Sequence, residues 1–375
     1  MGKVNRLNRK PESVYLIAAF AVGEWSSMGL PDASDSRLAA LTRWLVDDLG
    51  FTGSRIEPAS ADASFRRYFR VTRGADTHIV MDAPPDKENT APFVSVARAL
   101  AGMSLNVPIV LARDESQGFL LLSDLGSCQY LDELTAERNV ERLYADALQG
   151  LVTMQGAGDA AARDLPVYDR ALLLREMQLF PEWFLGRHLG FIVGDRERAM
   201  LDRLFEALVQ AALSQPSVFV HRDYHSRNLL LTAEHNPGIL DFQDAVFGPV
   251  TYDAVSLLKD CYIAWPPERV RGWLLSYREQ LIRAGIDVGG KAAGGAAEFV
   301  RWFDLMGLQR HIKVLGIFAR LYYRDGKRGY LKDLPRVLDY TRKAAAAYPE
   351  TAEFAEFVTS RIDPAFAAAQ ARSGA

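Results

Sequence analysis

The sequence is poor in cysteine, in long apolar runs and in unbalanced charge, and each shortage removes a class of protein. Its 375 residues include two cysteines, Cys128 and Cys261. That is too few for a disulfide framework in a chain of this length, and two thiols in a reducing compartment is the simpler reading. Lysine and arginine number 44 against 47 aspartates and glutamates, a formal charge of −3. No global positive field exists to hold a nucleic-acid backbone, so that partner is not expected. The six histidines show no pair at convincing metal-ligand spacing, and His225 and His311 have no partners for a zinc site. No stretch reaches the roughly 20 consecutive apolar residues of a membrane-spanning helix. What is present is the ordinary balance of a globular protein, 49% apolar and 24% charged, in a chain long enough for two lobes.

The amino terminus asks for a decision. Lys3, Arg6, Arg9 and Lys10 precede a short apolar run, residues 14–22, in the order of a signal peptide. Gly23-Glu24-Trp25 then stands where a small-x-small cleavage site is needed, and Met28 lies just before a helix start. Residues 1–33 are therefore expected to be a loosely ordered extension, with 1–27 an upstream start or loose tail. A cytoplasmic monomer without an obligate protein or membrane partner is the expectation.

Ser34-Asp35-Ser36 caps a helix whose Leu38, Leu41, Leu45 and Leu49 repeat at helical spacing before Gly50. Residues 55–59, 65–72 and 77–82 read as strands, 90–102 as a helix, and 108–112 and 118–123 as two more strands. A small mixed lobe over 34–123 follows, with a connector at 124–128 and a mainly helical lobe over 129–375. Residues 143–155, 171–189 and 196–213 are long and helically periodic. Short apolar runs at 218–221, 229–232 and 238–242 interrupt them. Helix resumes at Asp253 and is clearest over 300–323, where Leu305, Leu308, Ile312, Leu315, Ala319 and Tyr322 step by three and four. The Ala/Gly stretch 289–297 reads as a mobile loop, and the Ala-rich tail after Asp363 as a fraying end.

The interruption carries the chemistry. It reads Val220-His221-Arg222-Asp223-Tyr224-His225-Ser226-Arg227-Asn228-Leu229, then Gly238-Ile239-Leu240-Asp241-Phe242-Gln243-Asp244. Asp223, Asn228 and Asp241 thus sit on loops beside short buried strands. Phosphoryl transfer needs such a set: Asp223 to orient a hydroxyl and accept its proton, Asn228 and Asp241 as oxygen ligands for Mg²⁺. Positioning and charge stabilisation then do most of the work. The bland alternative makes the first two turn residues and Asp241 a strand-end cap.

At these residues the chain resembles the aminoglycoside phosphotransferase family of the protein-kinase-like superfamily, over residues 37–350. The resemblance implies an α+β, two-lobed kinase-like fold, with a small antiparallel-sheet lobe, a larger helical lobe, and ATP and Mg²⁺ in the cleft between them. Ser123-Asp124-Leu125 looks like the hinge whose backbone reads adenine, so Ser123 and Leu125 are nucleotide contacts. Asp253, in Pro249-Val250-Thr251-Tyr252-Asp253, matches the family's acidic residue that steadies the catalytic loop from below. Four further stretches resemble bacterial anomeric amino-sugar kinases, which phosphorylate the C1 hydroxyl of N-acetylmuramate and N-acetylglucosamine in cell-wall sugar recycling. They are Ala61-Asp62-Ala63-Ser64-Phe65-Arg66-Arg67-Tyr68-Phe69-Arg70, Val80-Met81-Asp82-Ala83-Pro84-Pro85, Phe180-Pro181-Glu182-Trp183-Phe184-Leu185, and Leu308-Gln309-Arg310-His311-Ile312-Lys313-Val314-Leu315-Gly316.

One departure from the superfamily matters. Its third strand usually carries a phosphate-holding lysine, and here Met81 or a neighbour takes that place. The glycine-rich loop is replaced by Ser60-Ala61-Asp62-Ala63-Ser64, whose backbone N–H groups and Ser64 hydroxyl are candidate phosphate contacts. Arg66 and Arg67 are the nearest cations. Alternation along a strand sends them to opposite faces, and Arg67 is favoured for the cleft. At the sugar end, the lactyl carboxylate of N-acetylmuramate calls for a cation. Arg227, Arg310 and Lys313 are the candidates, with Asp223 touching the reacting hydroxyl. Gln309, Arg310 and Lys313 lie off the apolar stripe of their helix, which also fits a solvated helical face. Trp183 and Phe184 suit either a sugar ring or the core. A kinase of another small hydroxyl compound and a non-catalytic nucleotide-binding module both stay open.

Overall fold

The computed structural model describes residues 35–61, 65–157, 162, 164–286, 288 and 293–373, with the side chains of Ser60 and Ala61 outside that description. The expected extension 1–33, the candidates Asp62, Ala63 and Ser64, and residues 289–292 lie outside it too.

Helix α1 (Ser36–Arg43) starts at Asp35, whose side chain accepts the Leu38 N–H at 3.0 Å. It runs on as a π-helical turn, Trp44–Asp48. A five-stranded antiparallel sheet follows in the order β1-β2-β3-β5-β4. Its strands are β1 (Arg55–Ala61), β2 (Arg67–Arg73), β3 (Asp76–Asp82), β4 (Val110–Asp114) and β5 (Phe119–Ser123), with α2 (Ala91–Gly102) between β3 and β4. The period of two splits the sheet's faces. Phe69, Val71, Val80, Phe119 and Leu121 pack against Leu41, Trp44 and Leu45 of α1 and its extension. Met81, Leu120 and Leu122 turn the other way, toward α2 and the main core. The β2–β3 register pairs Arg67 with Asp82 and Tyr68 with Met81.

The second lobe is helical. Helices α3 (Tyr130–Thr135) and α4 (Val140–Gly156) lead to α5 (Arg170–Met177), and a π-helical segment, Phe180–His188, follows. The single helix expected over 171–189 is therefore split, with Pro181 in the first turn of the second piece. Phe184 is fully buried and Trp183 half-buried against the core, so the packing role holds for Phe184. Next come α6 (Asp195–Leu213), β6 (Ser217–Val220), β7 (Leu229–Leu230), β8 (Gly238–Ile239) and β9 (Val246–Pro249). Strand β9, which pairs with β6, was not expected from the sequence.

After these come α7 (Tyr252–Leu258), α8 (Pro267–Arg283), α9 (Ala293–Asp325), a 3₁₀ segment Arg328–Asp333, α10 (Leu334–Ala345), α11 (Ala352–Phe357) and α12 (Asp363–Ser373). Two expectations are corrected here. From Ala293 onward the Ala/Gly stretch is the first turn of α9, and the tail after Asp363 is helix α12, held by buried Phe366 and Ala369. Helix α9 runs through the middle of the lobe and contacts nearly every neighbouring element. A Cβ at Gly316 would stand 2.4 Å from the Leu179 carbonyl carbon, well inside contact distance, so this crossing requires glycine.

Candidate active site

Two short antiparallel pairs build the site. β7 and β8 pair Leu229 with Ile239 and Leu230 with Gly238, and the Leu240 N–H donates to the Asn228 carbonyl at 2.9 Å. This register sets Asn228, just before β7, beside Asp241, just after β8. Asn228 Nδ2 donates to Asp241 Oδ2 at 3.2 Å and to the Asp223 carbonyl at 3.0 Å. The structure thus brings together the three polar residues singled out in the sequence. Asp241 takes a left-handed φ of 63°, and Gln243 Nε2 donates to its Oδ1 at 2.8 Å. A non-glycine residue held there stores strain of order 1–3 kcal/mol, sustained by the surrounding contacts.

Buried carboxylates fasten the loop that carries Asp223. Asp253, on α7, accepts the His221 N–H at 2.7 Å and the Arg222 N–H at 2.9 Å. Asp260 accepts the Ser226 N–H at 3.0 Å and the Tyr262 N–H at 2.9 Å. Between these anchors Arg222 adopts a φ of 77°, a left-handed turn that redirects the chain at Asp223. His221 is buried and held down to about 3, hence neutral, and its Nδ1 accepts the Asp223 N–H at 3.2 Å. Burial pushes Asp223 up to about 6 against the pull of Lys313, Arg310 and Arg222. Burial likewise lifts Asp253 to about 7, opposed by the two N–H groups it accepts.

A second cluster lies behind the loop. Glu176 of α5 accepts hydrogen bonds from Tyr168 Oη and Arg222 Nη2, and Lys313 Nζ is 2.9 Å from its Oε1. Lys313 also donates to Tyr252 Oη at 3.0 Å. Arg310 donates to Ser256 Oγ at 2.6 Å, and its Nη2 lies 3.9 Å from Asp223 Oδ1. The polar positions of α9 are therefore not a solvated face: Gln309, Arg310 and Lys313 are 3% exposed or less. Arg310 and Lys313 also stand apart from any open acceptor surface, because internal partners occupy both. Arg227 is half-buried beside the loop, with its guanidinium 3.7 Å from the centre of the Tyr262 ring.

Glu176, Tyr168, Asp260 and Tyr262 were missed in the sequence. Glu176 had a signal: it lies at helical spacing from buried Leu172 and Leu173, on an apolar face where a charge needs a partner.

The cleft between the lobes, about 790 Å³ and open to solvent, runs from Ser123 and Leu125 to Asp241. Tyr68, Arg70, Ile79 and Leu122 form its sheet side. Arg70 Nε donates to Asp124 Oδ2 at 2.6 Å, which ties β2 to the connector. Met81 is fully buried on the same sheet face. Arg67 is a correction. It belongs to the opposite face, paired with Asp35 and with Asp82, which Arg37 also engages. The parity that turns Tyr68 and Arg70 to the cleft turns Arg67 away from it. Ser60 and Ala61 continue β1, paired with Tyr68 and Arg67, next in the chain to Ala59, which lines the cleft.

The donor set near Asp241 suits a hard cation. Asn228 and Asp241 offer oxygen, and no cluster of three or more His, Cys, Asp or Glu side chains forms a metal site among the described residues. Mg²⁺ fits such a site, since it takes one or two protein oxygens and completes its shell from phosphate and water.

Residues 55–288 match the phosphotransferase enzyme family. The chain belongs to that family. It is 46% identical over 334 residues to the N-acetylmuramate/N-acetylglucosamine kinase of Pseudomonas putida, covering 86% of this chain and 96% of that one. To the protein of the same name in Pseudomonas aeruginosa it is 50% identical over 303 residues, covering 81% and 87%. Among solved structures, the GDP complex of aminoglycoside 2'-phosphotransferase-IIIa aligns with a TM-score of 0.57 at 14% identity, over 82% of this chain and 99% of that one. Plasmodium vivax ethanolamine kinase aligns at 0.58 with 10% identity, over 80% and 85%. These structural likenesses support the two-lobed kinase fold. No helix among the described residues is long and apolar enough to cross a membrane.

Proposed function

We propose that this phosphotransferase is an ATP- and Mg²⁺-dependent kinase acting on the anomeric C1 hydroxyl of N-acetylmuramate and N-acetylglucosamine. The observation that carries the reading is the convergence of Asp223 and Asn228 on Asp241, which lines the cleft, in a chain with amino-sugar kinase relatives. Asp223 orients the C1 hydroxyl and takes its proton. The sugar oxygen forms a bond to the γ-phosphorus, the bond from that phosphorus to the β,γ-bridging oxygen breaks, and ADP departs. Asn228 and Asp241 would hold Mg²⁺, which when bound neutralises phosphate charge. The adenine end rests on Ser123 and Leu125, and the backbone at the end of β1, Ser60 and Ala61, would meet the phosphates. Buried Arg310 and Lys313 set the charge around Asp223 from behind.

An acceptor panel with product analysis tests this. Free N-acetylmuramate and N-acetylglucosamine should be phosphorylated in a magnesium-dependent way, and their methyl glycosides and aminoglycosides should not. Phosphorylated methyl glycosides would refute the anomeric assignment. ATP bound without sugar-stimulated turnover would make the chain a nucleotide-binding module.

A further inference from the structure

We propose that Arg227 reads the charge of the acceptor: it holds the carboxylate of an acidic amino sugar beside Asp223, on a seat formed by the Tyr262 ring. This rests on the amino-sugar reading and adds the side chain that separates acidic from neutral acceptors.

A contrast among the cations around the reaction centre supports it. Arg222 and Lys313 are committed to Glu176, and Arg310 to Ser256 and Asp223 itself, all at 3% exposure or less. A substrate carboxylate could reach them only by displacing a buried partner, which leaves a desolvated charge behind. Arg227 lies four residues after Asp223 and one before Asn228. It is half-buried, and among the described residues no carboxylate closes a salt bridge with it; Asp333, which already holds Arg336, feels its charge without a direct contact. It is the accessible cation of the catalytic loop.

Arg227 is nonetheless held in place. Its guanidinium sits 3.7 Å from the Tyr262 ring centre, and the His225 ring meets Tyr262 edge-on at 5.3 Å. Asp260 carries both the Tyr262 N–H and the Ser226 N–H, so one buried carboxylate fixes the seat and the catalytic loop relative to each other. Beyond the ring, Arg336 Nη1 donates to the Cys261 carbonyl at 2.6 Å and to Asp333 at 2.9 Å. A guanidinium over a ring keeps the donors at its edge available for a bidentate carboxylate, and its freedom is already restricted before substrate arrives. N-acetylglucosamine has no carboxylate to meet this fork. N-acetylmuramate carries one on its lactyl group.

The test is the ratio of kcat/KM for N-acetylmuramate to that for N-acetylglucosamine. In Arg227→Gln this ratio should fall at least about 30-fold, mainly through the KM for N-acetylmuramate, consistent with loss of a charge-assisted pair. Tyr262→Leu should lower the ratio by a smaller factor. A second arm needs no mutation: the neutral lactyl amide of N-acetylmuramate, offered to the unaltered protein, should lose a similar factor, and Arg227→Gln should add little to that loss. A ratio that moves less than about threefold in Arg227→Gln overturns the proposal, as does additivity of the variant and amide effects. An unaltered protein that phosphorylates neither sugar sinks the amino-sugar reading instead, so the two failures are distinct.

Discussion

The two lobes handle their cations in opposite ways. In the sheet lobe, the side chains of Arg37 and Arg67 are 32% and 37% exposed while both pair with Asp82. Arg70 is similarly wet beside Asp124. In the helical lobe, Arg222, Arg310 and Lys313 are removed from water and share Glu176 and Asp223. In the sheet lobe the carboxylates, Asp82 and Asp124, are buried and only the arginines reach water, so each cation keeps part of its hydration and is less costly to move than a fully buried one. Buried charges are costly to strand, so their partners lock one arrangement of the loop bearing Asp223. Reaction geometry is stored in the lobe where charge is least free to move.

The sharpest way to break this comparison is Glu176→Gln. It leaves Arg222 and Lys313 buried without their carboxylate and should cost about 3–5 kcal/mol in denaturant unfolding. Loss of less than about 1 kcal/mol would mean the cluster is not under electrostatic tension. Burial would raise the Glu176 carboxyl, but Lys313 and Arg222 hold it down to about 2 against an ordinary value of 4.5. Its contribution is therefore complete above about pH 4.5 and fades as pH falls toward 2, because the unfolded chain binds the proton first. Glu176→Gln should flatten that acid limb of the stability curve.

Next in size is Asp223→Asn. It should lower kcat at least about 100-fold, about 2.7 kcal/mol, while nucleotide affinity stays within a few-fold. Near-normal turnover would remove Asp223 from its role. The smallest effect belongs to the sheet lobe. Arg67→Gln should cost about 1–2 kcal/mol, because Arg37 still holds buried Asp82, and should leave the nucleotide KM within about twofold, since Arg67 faces α1. A tenfold rise in that KM would return Arg67 to the phosphates and erase the contrast between the lobes.

Legibility in the sequence followed the range of each interaction. The β1–β5 strands and α2 were readable within a few residues, because period-two and period-3.6 burial patterns are local. β9 was not: its Val246-Phe247-Gly248-Pro249 run is short and contains two residues that strands disfavour, and pairing with β6 makes it a strand. Arg310 and Lys313 read as polar and therefore as solvated or ligand-facing. Their burial depends on Glu176, Tyr252 and Ser256, which arrive from other helices. Strand alternation separates Arg67 from its neighbours in the chain, yet which face of the sheet bounds the cleft depends on where α1 packs.

Residue types and short spacings thus determined by themselves that Asp223, Asn228 and Asp241 stand near one another, that a sheet precedes them, and that helices follow. Only the tertiary structure decided which cations are internal counter-charges and which one keeps contact with solvent. The physical reason is desolvation: a side chain's charge is written in the chain, but its cost and its partner are set by the elements that close around it.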